Sequence, residues 1–309
     1  MRYISLLIIL LLVIFTGCRE GGEVASPTPT LAIPPPEKTI NKNVKPLVFA
    51  AIPMDNRLKM LEGWTMLGDY ITKKTGIPVE VSIKKSYFEI IDALVNKEVD
   101  FCYTGPLVYV EAHKKSGVIP VVKPVAKGNP FYYSVIIVRK DSPIKKLSDL
   151  KGKKFAFTDR NSTSGYLFPR AVLAQDGIKN LDFFSEVIFT QGHDSSLEAV
   201  YQKYVDAAGI YDAPFVKEGF KDPKIEEVRI IATSDPIPMG PVAVRKDMPK
   251  DIVNKIRDVF LEIGKTEETK IIGEKIKVSS YTEAQDKDYD SIRKAIKILE
   301  TLGEKVEEK

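Results

Sequence analysis

Short apolar runs, separated by segments whose apolar residues recur at helical spacing, set the tightest limit on what this chain can fold into. Pro46 to Pro53 (PLVFAAIP) is a continuous apolar strand. The spacing then predicts a helix from Leu58 to Thr75, with Leu61, Trp64, Leu67, Tyr70 and Ile71 on one face and Gly76 as its stop. Val79 to Ile83 alternates as a second strand, Phe88 to Asn96 reads as a helix, and Val99 to Tyr103 as a third strand. Thr104-Gly105-Pro106 turns the chain into a helix over Leu107 to Lys114. Strands alternating with helices point to a parallel sheet covered on both faces.

A second series follows. Val118 to Pro124 reads as a strand, and Gly128-Asn129-Pro130 breaks the pattern. Phe131 to Arg139 (FYYSVIIVR) is a strong strand. Phe155 to Thr158, Val187 to Phe189 and Asp206 to Ile210 continue the strands, with helices over Tyr166 to Gln175 and Ser196 to Tyr204. Val228 to Ala232 is apolar again, Thr233 to Pro241 (TSDPIPMGP) interrupts it, and Val242 to Arg245 returns as a strand. Helices close the chain over Asp251 to Ile263 and Asp286 to Leu302, joined by a Lys/Glu-rich turn. The two Pro/Gly-marked boundaries imply a discontinuous first lobe, residues 46–126 and 236–309, around a second lobe, residues 127–235. The expected fold is α/β: two lobes, each a central, mostly parallel sheet flanked by helices, joined by two hinge crossings. Ligands of such sheets bind where strands end and helices begin, and such lobes close on their ligand.

The 309 residues suffice for two lobes with real cores. A net charge of +4 from 46 basic and 42 acidic side chains is too balanced for a nucleic-acid partner. The beginning of the chain is a targeting segment. Arg2 supplies a positive start, Ile4 to Phe15 is almost wholly apolar, and Thr16-Gly17-Cys18 follows. The run is shorter than the ~20 residues that span a bilayer, and it has the form of a signal peptide over residues 1–17. Small residues before Cys18 resemble a bacterial lipobox, in which the cysteine becomes the lipid-bearing N-terminus. Residues 18–45 then form a tether, with Pro27, Pro29 and Pro34 to Pro36 among Ser, Thr and Ala. The mature protein is therefore expected outside the cytoplasmic membrane, anchored through Cys18. Cys102, in an apolar run, is expected to be a small buried hydrophobe.

The loops after the strands collect the polar residues. In Asp159-Arg160-Asn161-Ser162-Thr163-Ser164-Gly165-Tyr166, three hydroxyls and a glycine stand between a strand and a helix. Such residues serve as ordinary helix caps. They also build an anion cradle, because the N–H groups of a first turn lack partners and the helix dipole favours negative charge. His193, in Gly-His-Asp before a helix, can donate from Nε2 while Asp194 caps. Met54, Tyr87, Tyr103, Thr104, Tyr211 and Asp212 complete the strand-end set. The bland reading of each tyrosine is packing. Asp212 would repel a bare anion and suits a ligand bearing P–OH. His113 beside Lys114 and Lys115 reads as solvated. A hydrolase reading assembles Ser162 or Ser164 with His193 and Asp194 or Asp212, yet no Gly-x-Ser-x-Gly elbow is present. No HExxH, CxxC or GKS/GKT motif occurs, so neither a metal nor another cofactor is expected.

Ordered motifs from about Leu47 to Gly264 resemble a known family. They include VDFCYTGP at 99–106, YYSVIIVRKDS at 132–142 and LSDLKGKKFAFTD at 147–159. NSTSGYLFP at 161–169, GHD at 192–194, VDAA at 205–208 and IPMGPVAVR at 237–245 follow. The chain resembles the phosphonate, phosphite and phosphate-binding lipoproteins of ABC importers, a branch of the type 2 periplasmic binding proteins. The resemblance implies that Ser162, Thr163 and Ser164 hold phosphorus oxygens, helped by His193, Tyr87 and Tyr103. It implies a monomer that hands its ligand to a membrane permease with its ATPase. Members taking aminoethylphosphonate carry an acid in the loop matching Pro238 to Pro241, and this chain has none there. Phosphate, phosphite or a small uncharged phosphonate is the expected ligand. A sulfonate or thiamine-precursor receptor on the same fold is the alternative.

Overall fold

The computed structural model describes residues 45–54, 56–126, 128–216 and 223–304. The expected signal peptide, Cys18 and the proline-rich tether lie outside the described residues.

The first stretch alternates as its apolar spacing requires: β1 (Leu47–Ala51), α1 (Arg57–Thr75), β2 (Val79–Ile83), α2 (Tyr87–Val95), β3 (Phe101–Tyr103), α3 (Pro106–Ser116) and β4 (Ile119–Val125). Ser86 starts α2 by accepting from Glu89 N at 3.2 Å, a side-chain cap. Pro106 occupies the first turn of α3, where its missing N–H costs nothing. Gly117, at φ 71°, ends that helix in the left-handed conformation glycine tolerates. The second stretch holds β5 (Phe131–Tyr132), β6 (Ser134–Arg139), β7 (Lys154–Phe157), α4 (Phe168–Gln175), β8 (Glu186–Phe189), α5 (His193–Tyr201), β9 (Ala207–Tyr211), a short α6 (Ala213–Val216) and β10 (Val228–Thr233). The chain then returns through β11 (Ile237–Pro238) and β12 (Val242–Val244), and ends with α7 (Lys250–Leu261), α8 (Glu267–Lys275), β13 (Ser280–Glu283) and α9 (Asp290–Thr301).

Two sheets result. The first runs β13-β4-β12-β3-β1-β2 and the second β10-β6-β9-β7-β8. Each has the expected parallel part, β3-β1-β2 and β9-β7-β8, built by strand–helix–strand units. Antiparallel strands are added where the chain enters or leaves a sheet: β12 on β3, β13 on β4, and β6 and β10 beside β9. The two crossings pair with each other. β5 and β11 form a separate antiparallel ribbon, Tyr132 opposite Ile237 and Phe131 opposite Pro238.

That ribbon corrects one sequence expectation. Phe131 to Arg139 is not a single strand, because β5 belongs to the crossing ribbon and β6 to the second sheet. Tyr133 makes the bend, its N–H donating to Asp212 Oδ1 at 3.1 Å and its carbonyl accepting from Asp212 N at 3.0 Å. A second correction concerns the Lys/Glu-rich turn after Ile263, which contains helix α8 and edge strand β13. Thr266 caps α8 by accepting from Thr269 N at 3.2 Å. Its apolar stripe is narrow: Ile272 is 3% exposed while neighbouring Ile271 is 51% exposed. Such a helix carries little periodic signal.

Phe49 is the centre of the first sheet's packing, 5.0 Å from Phe101 and 5.1 Å from Trp64 between ring centroids. Cys102 is fully buried beside them, as expected, and burial pushes its thiol pKa up. One apolar cluster continues from this sheet to Phe155, Phe157, Tyr166 and Leu173 of the second lobe. A smaller one, with Val135, Ile137, Leu197 and Ile210, covers the other face of the second sheet.

Gly240 sits where the return crossing passes β3. A Cβ there would lie 1.9 Å from the Thr104 carbonyl oxygen, so the two backbones would have to separate. Gly240→Ala should lower the unfolding free energy by about 3 kcal/mol, the upper range for overpacking. Urea denaturation should read this as a lower midpoint at unchanged slope.

Candidate anion-binding site

The turn between β7 and α4 is shaped by its own side chains. Asp159 Oδ1 accepts from Asn161 N at 2.7 Å, which folds the chain back after the strand. Ser162 Oγ then accepts from Gly165 N at 3.0 Å, as an N-cap should. The Ser162 carbonyl accepts from both Tyr166 N and Leu167 N at 3.1 Å. Residues Thr163–Leu167 therefore form a widened π turn, a distortion common at functional sites. Gly165 is required by space: a Cβ would stand 2.3 Å from the Thr158 side chain.

Four helices begin at one cavity. Tyr87 opens α2, Pro106 opens α3, Ser162 to Ser164 lead into α4, and His193 opens α5; all of them line it. Each start presents backbone N–H groups with the positive end of a helix dipole behind them. The lobes already touch across this point. Leu107 N donates to Thr163 Oγ1 at 2.9 Å, and His193 N to the Met54 carbonyl at 3.2 Å. Asp159 also accepts from Tyr87 N. Burial pushes the Asp159 carboxyl pKa up, while the N–H groups of Asn161 and Tyr87 pull it back.

His193 is set in one tautomer by its neighbours. Tyr211 N donates to Nδ1 at 3.2 Å, so Nδ1 is the acceptor and the ring proton sits on Nε2. The Tyr211 ring packs against the imidazole at 4.4 Å between centroids. His193 is thus a donor held by the end of β9.

The cavity is lined by Met54, Tyr87, Tyr103, Ser162, Thr163, Ser164, His193, Asp194, Tyr211 and Asp212, ten of the residues expected from the sequence. Two others stand apart from it. Thr104 is fully buried, its hydroxyl donating to the Pro241 carbonyl at 3.1 Å, so it fastens the return crossing. Gly165 lies behind the hydroxyls, serving the turn. Asp194 lines the cavity but does not cap α5: the cap position is Gly192, and Asp194 Oδ1 accepts from Ser195 N at 2.9 Å. His113 departs from the solvated expectation, since its Nδ1 lies 2.8 Å from the Val118 carbonyl.

Tyr132 is the main residue the sequence left unread. Its half-buried ring lines the cavity, while its hydroxyl end lies enclosed against the Ser164 and Thr163 side chains. Burial pushes the phenol pKa up, against the pull of those two hydroxyls. It was hidden inside an apparent strand; only Pro130 before it hinted at a break. Met60, Trp64, Lys224 and the segment from Lys275 to Val278 also line the cavity. Trp64 read as core, which it also is, and the Lys275 segment lay in the presumed turn.

The family model for the periplasmic substrate-binding protein of phosphonate ABC transporters matches residues 49–289. The chain belongs to this family. It is 32% identical over 268 residues to the phosphonates-binding periplasmic protein of Escherichia coli K12, covering 84% of this chain and 79% of that one. A binding-protein component of a phosphonate ABC transporter from Pseudomonas aeruginosa superposes with a TM-score of 0.78 at 26% identity, over 84% of this chain and 88% of that one. PhnD1 of Prochlorococcus marinus, solved with methylphosphonate, superposes at 0.77 with 20% identity, over 83% and 98%. The two-lobed fold is that of the type 2 periplasmic binding proteins, and the family is extracytoplasmic.

The His193 geometry gives a direct check. Nitrogen NMR of the ring in the ligand-free protein at neutral pH should show an Nε2–H tautomer with Nδ1 as a hydrogen-bond acceptor. An Nδ1–H tautomer would contradict the Tyr211 contact.

Proposed function

We propose that this chain captures a small phosphorus oxyanion between its lobes and delivers it to the permease of an ABC importer. The observation that carries this is the meeting of four helix starts, three hydroxyl side chains and the His193 Nε2 donor at one cavity. Such a set stabilises a tetrahedral oxyanion and offers nothing to a cation. The relatives named above, a phosphonate binder and a methylphosphonate complex, support the same chemistry. Ser162, Thr163, Ser164, His193, Tyr87, Tyr103 and Tyr132 are the proposed ligand donors. Asp212 favours a ligand with P–OH over a sulfonate, which has no proton to give it. Met239 and Gly240 line the cavity where an acid would be needed to hold an amine tail. The protein acts by binding, without a reaction step. Residues 46–126 with 236–309 and residues 127–235 are the moving lobes, with the β5–β11 ribbon as their hinge.

Calorimetric titration with phosphate, phosphite, methylphosphonate and aminoethylphosphonate tests the reading. At least one of the first three should bind more tightly than the amine. Ser162→Ala with Thr163→Ala removes two charge-assisted hydrogen bonds of about 1.5–3 kcal/mol each. Affinity should fall at least about a hundredfold with unchanged circular dichroism, and an unaltered affinity would reject the site.

The tether proposal is separate: Cys18 is lipidated and holds the protein at the membrane. Cys18→Ala should move the protein from the membrane fraction to the soluble one. Retention in the membrane fraction would argue for another anchor.

A further inference from the structure

The cavity is much larger than the anion its polar end would hold. It encloses about 590 Å3. A tetrahedral oxyanion displaces on the order of two or three waters, each about 30 Å3 of liquid. The excess is not a gap between separated lobes, because Leu107 N and His193 N already bond across the cleft. A chamber of this size is in the range that takes a whole organic ligand, roughly 300–1,000 Å3.

Its walls are apolar beyond the hydroxyl run. Met54, Met60, Trp64, Phe131, Met239 and Val278 face it from both lobes and from the crossing ribbon. Three of the chain's six methionines stand in that wall. Methionine is unbranched and polarizable, and it moulds to apolar groups of irregular shape. The lysines at the margin are answered by protein carboxylates: Lys224 by Glu198 at 2.7 Å and Lys275 by Glu62 at 2.5 Å. The wall next to the anion site therefore rewards an uncharged apolar body.

We infer that the ligand is an organophosphorus anion carrying an uncharged alkyl or aryl substituent larger than methyl. Its phosphorus oxygens meet the four helix starts, and its organic part displaces water from the methionine wall. This rests on the phosphorus-oxyanion reading above and narrows it to a ligand class. Each methylene buried there should strengthen binding roughly fourfold.

The test is calorimetric titration of the full-length protein with methylphosphonate, n-butylphosphonate, phenylphosphonate and 2-aminoethylphosphonate. The butyl and phenyl compounds should bind at least about tenfold more tightly than methylphosphonate. Aminoethylphosphonate should gain nothing over methylphosphonate. Met60→Glu, on the half-exposed face of α1, should collapse the butyl-to-methyl affinity ratio toward one. Methylphosphonate binding as tightly as the butyl and phenyl compounds would overturn the inference and leave the anion site standing. Tightest binding of the amine, or a butyl-to-methyl ratio unmoved by Met60→Glu, would also overturn it. Binding of none of the four would overturn the anion reading itself.

Discussion

The alignment of helix starts on one cavity is the constraint on which the rest of this structure depends. A helix start is only a weak anion site when water reaches it freely. Four of them around an enclosed space act together, because low dielectric strengthens each N–H and dipole contribution. The first lobe supplies two through α2 and α3, and the second supplies two through the π turn and α5. Neither lobe holds the full set. Affinity and lobe closure are thereby one event, and the sheets serve to aim their following helices.

The crossing ribbon gives that event its geometry. β5 and β11 pair with each other, so both connections move as one unit. Tyr132 lies in the ribbon and touches the Ser164 and Thr163 side chains, so the hinge itself forms part of the anion site. Tyr133 and Asp212 lock the ribbon to the end of β9 through two backbone-level hydrogen bonds. At the far end, Arg170, fully buried on α4, pairs with Glu304 just beyond α9, and Tyr166 donates to the same carboxylate. A buried guanidinium without that partner would be costly. The lobes are therefore joined at the hinge, at the anion site and near the chain's end.

Much of this was legible from residue patterns, for reasons that differ between regions. The strand–helix alternation from Leu47 to Ser116 is plain because its strands are buried on both faces and its helices carry wide apolar stripes. Ser162 to Ser164 and His193 were readable because polar residues at strand ends have few structural excuses. Tyr132 was not, since a tyrosine before Ser134-Val135-Ile136-Ile137 looks like more strand. Its role comes from pairing with Ile237, over a hundred residues away, and no local rule reports that. Thr104 failed in the opposite sense: a threonine at a strand end looked like a ligand donor, but the return crossing claims its hydroxyl. α8 escaped notice because Ile272 alone is deeply buried among charged neighbours.

The ligand-free arrangement also bears on selectivity. Two of the four helix starts are already served by protein oxygens: Thr163 Oγ1 receives Leu107 N, and Asp159 receives Tyr87 N. These contacts answer N–H groups that would otherwise be orphaned at the lobe boundary, where leaving a buried donor unmade costs about 1–3 kcal/mol. They lower the free energy of a closed but empty form, so a ligand's advantage is only what it gains beyond them. A weak acceptor would gain little over a threonine hydroxyl. An ionised phosphorus oxygen gains more, because charge-assisted hydrogen bonds are about twice as strong as neutral ones. Discrimination against neutral solutes thus follows from how well the protein satisfies its own helix ends, as well as from the groups it offers the ligand.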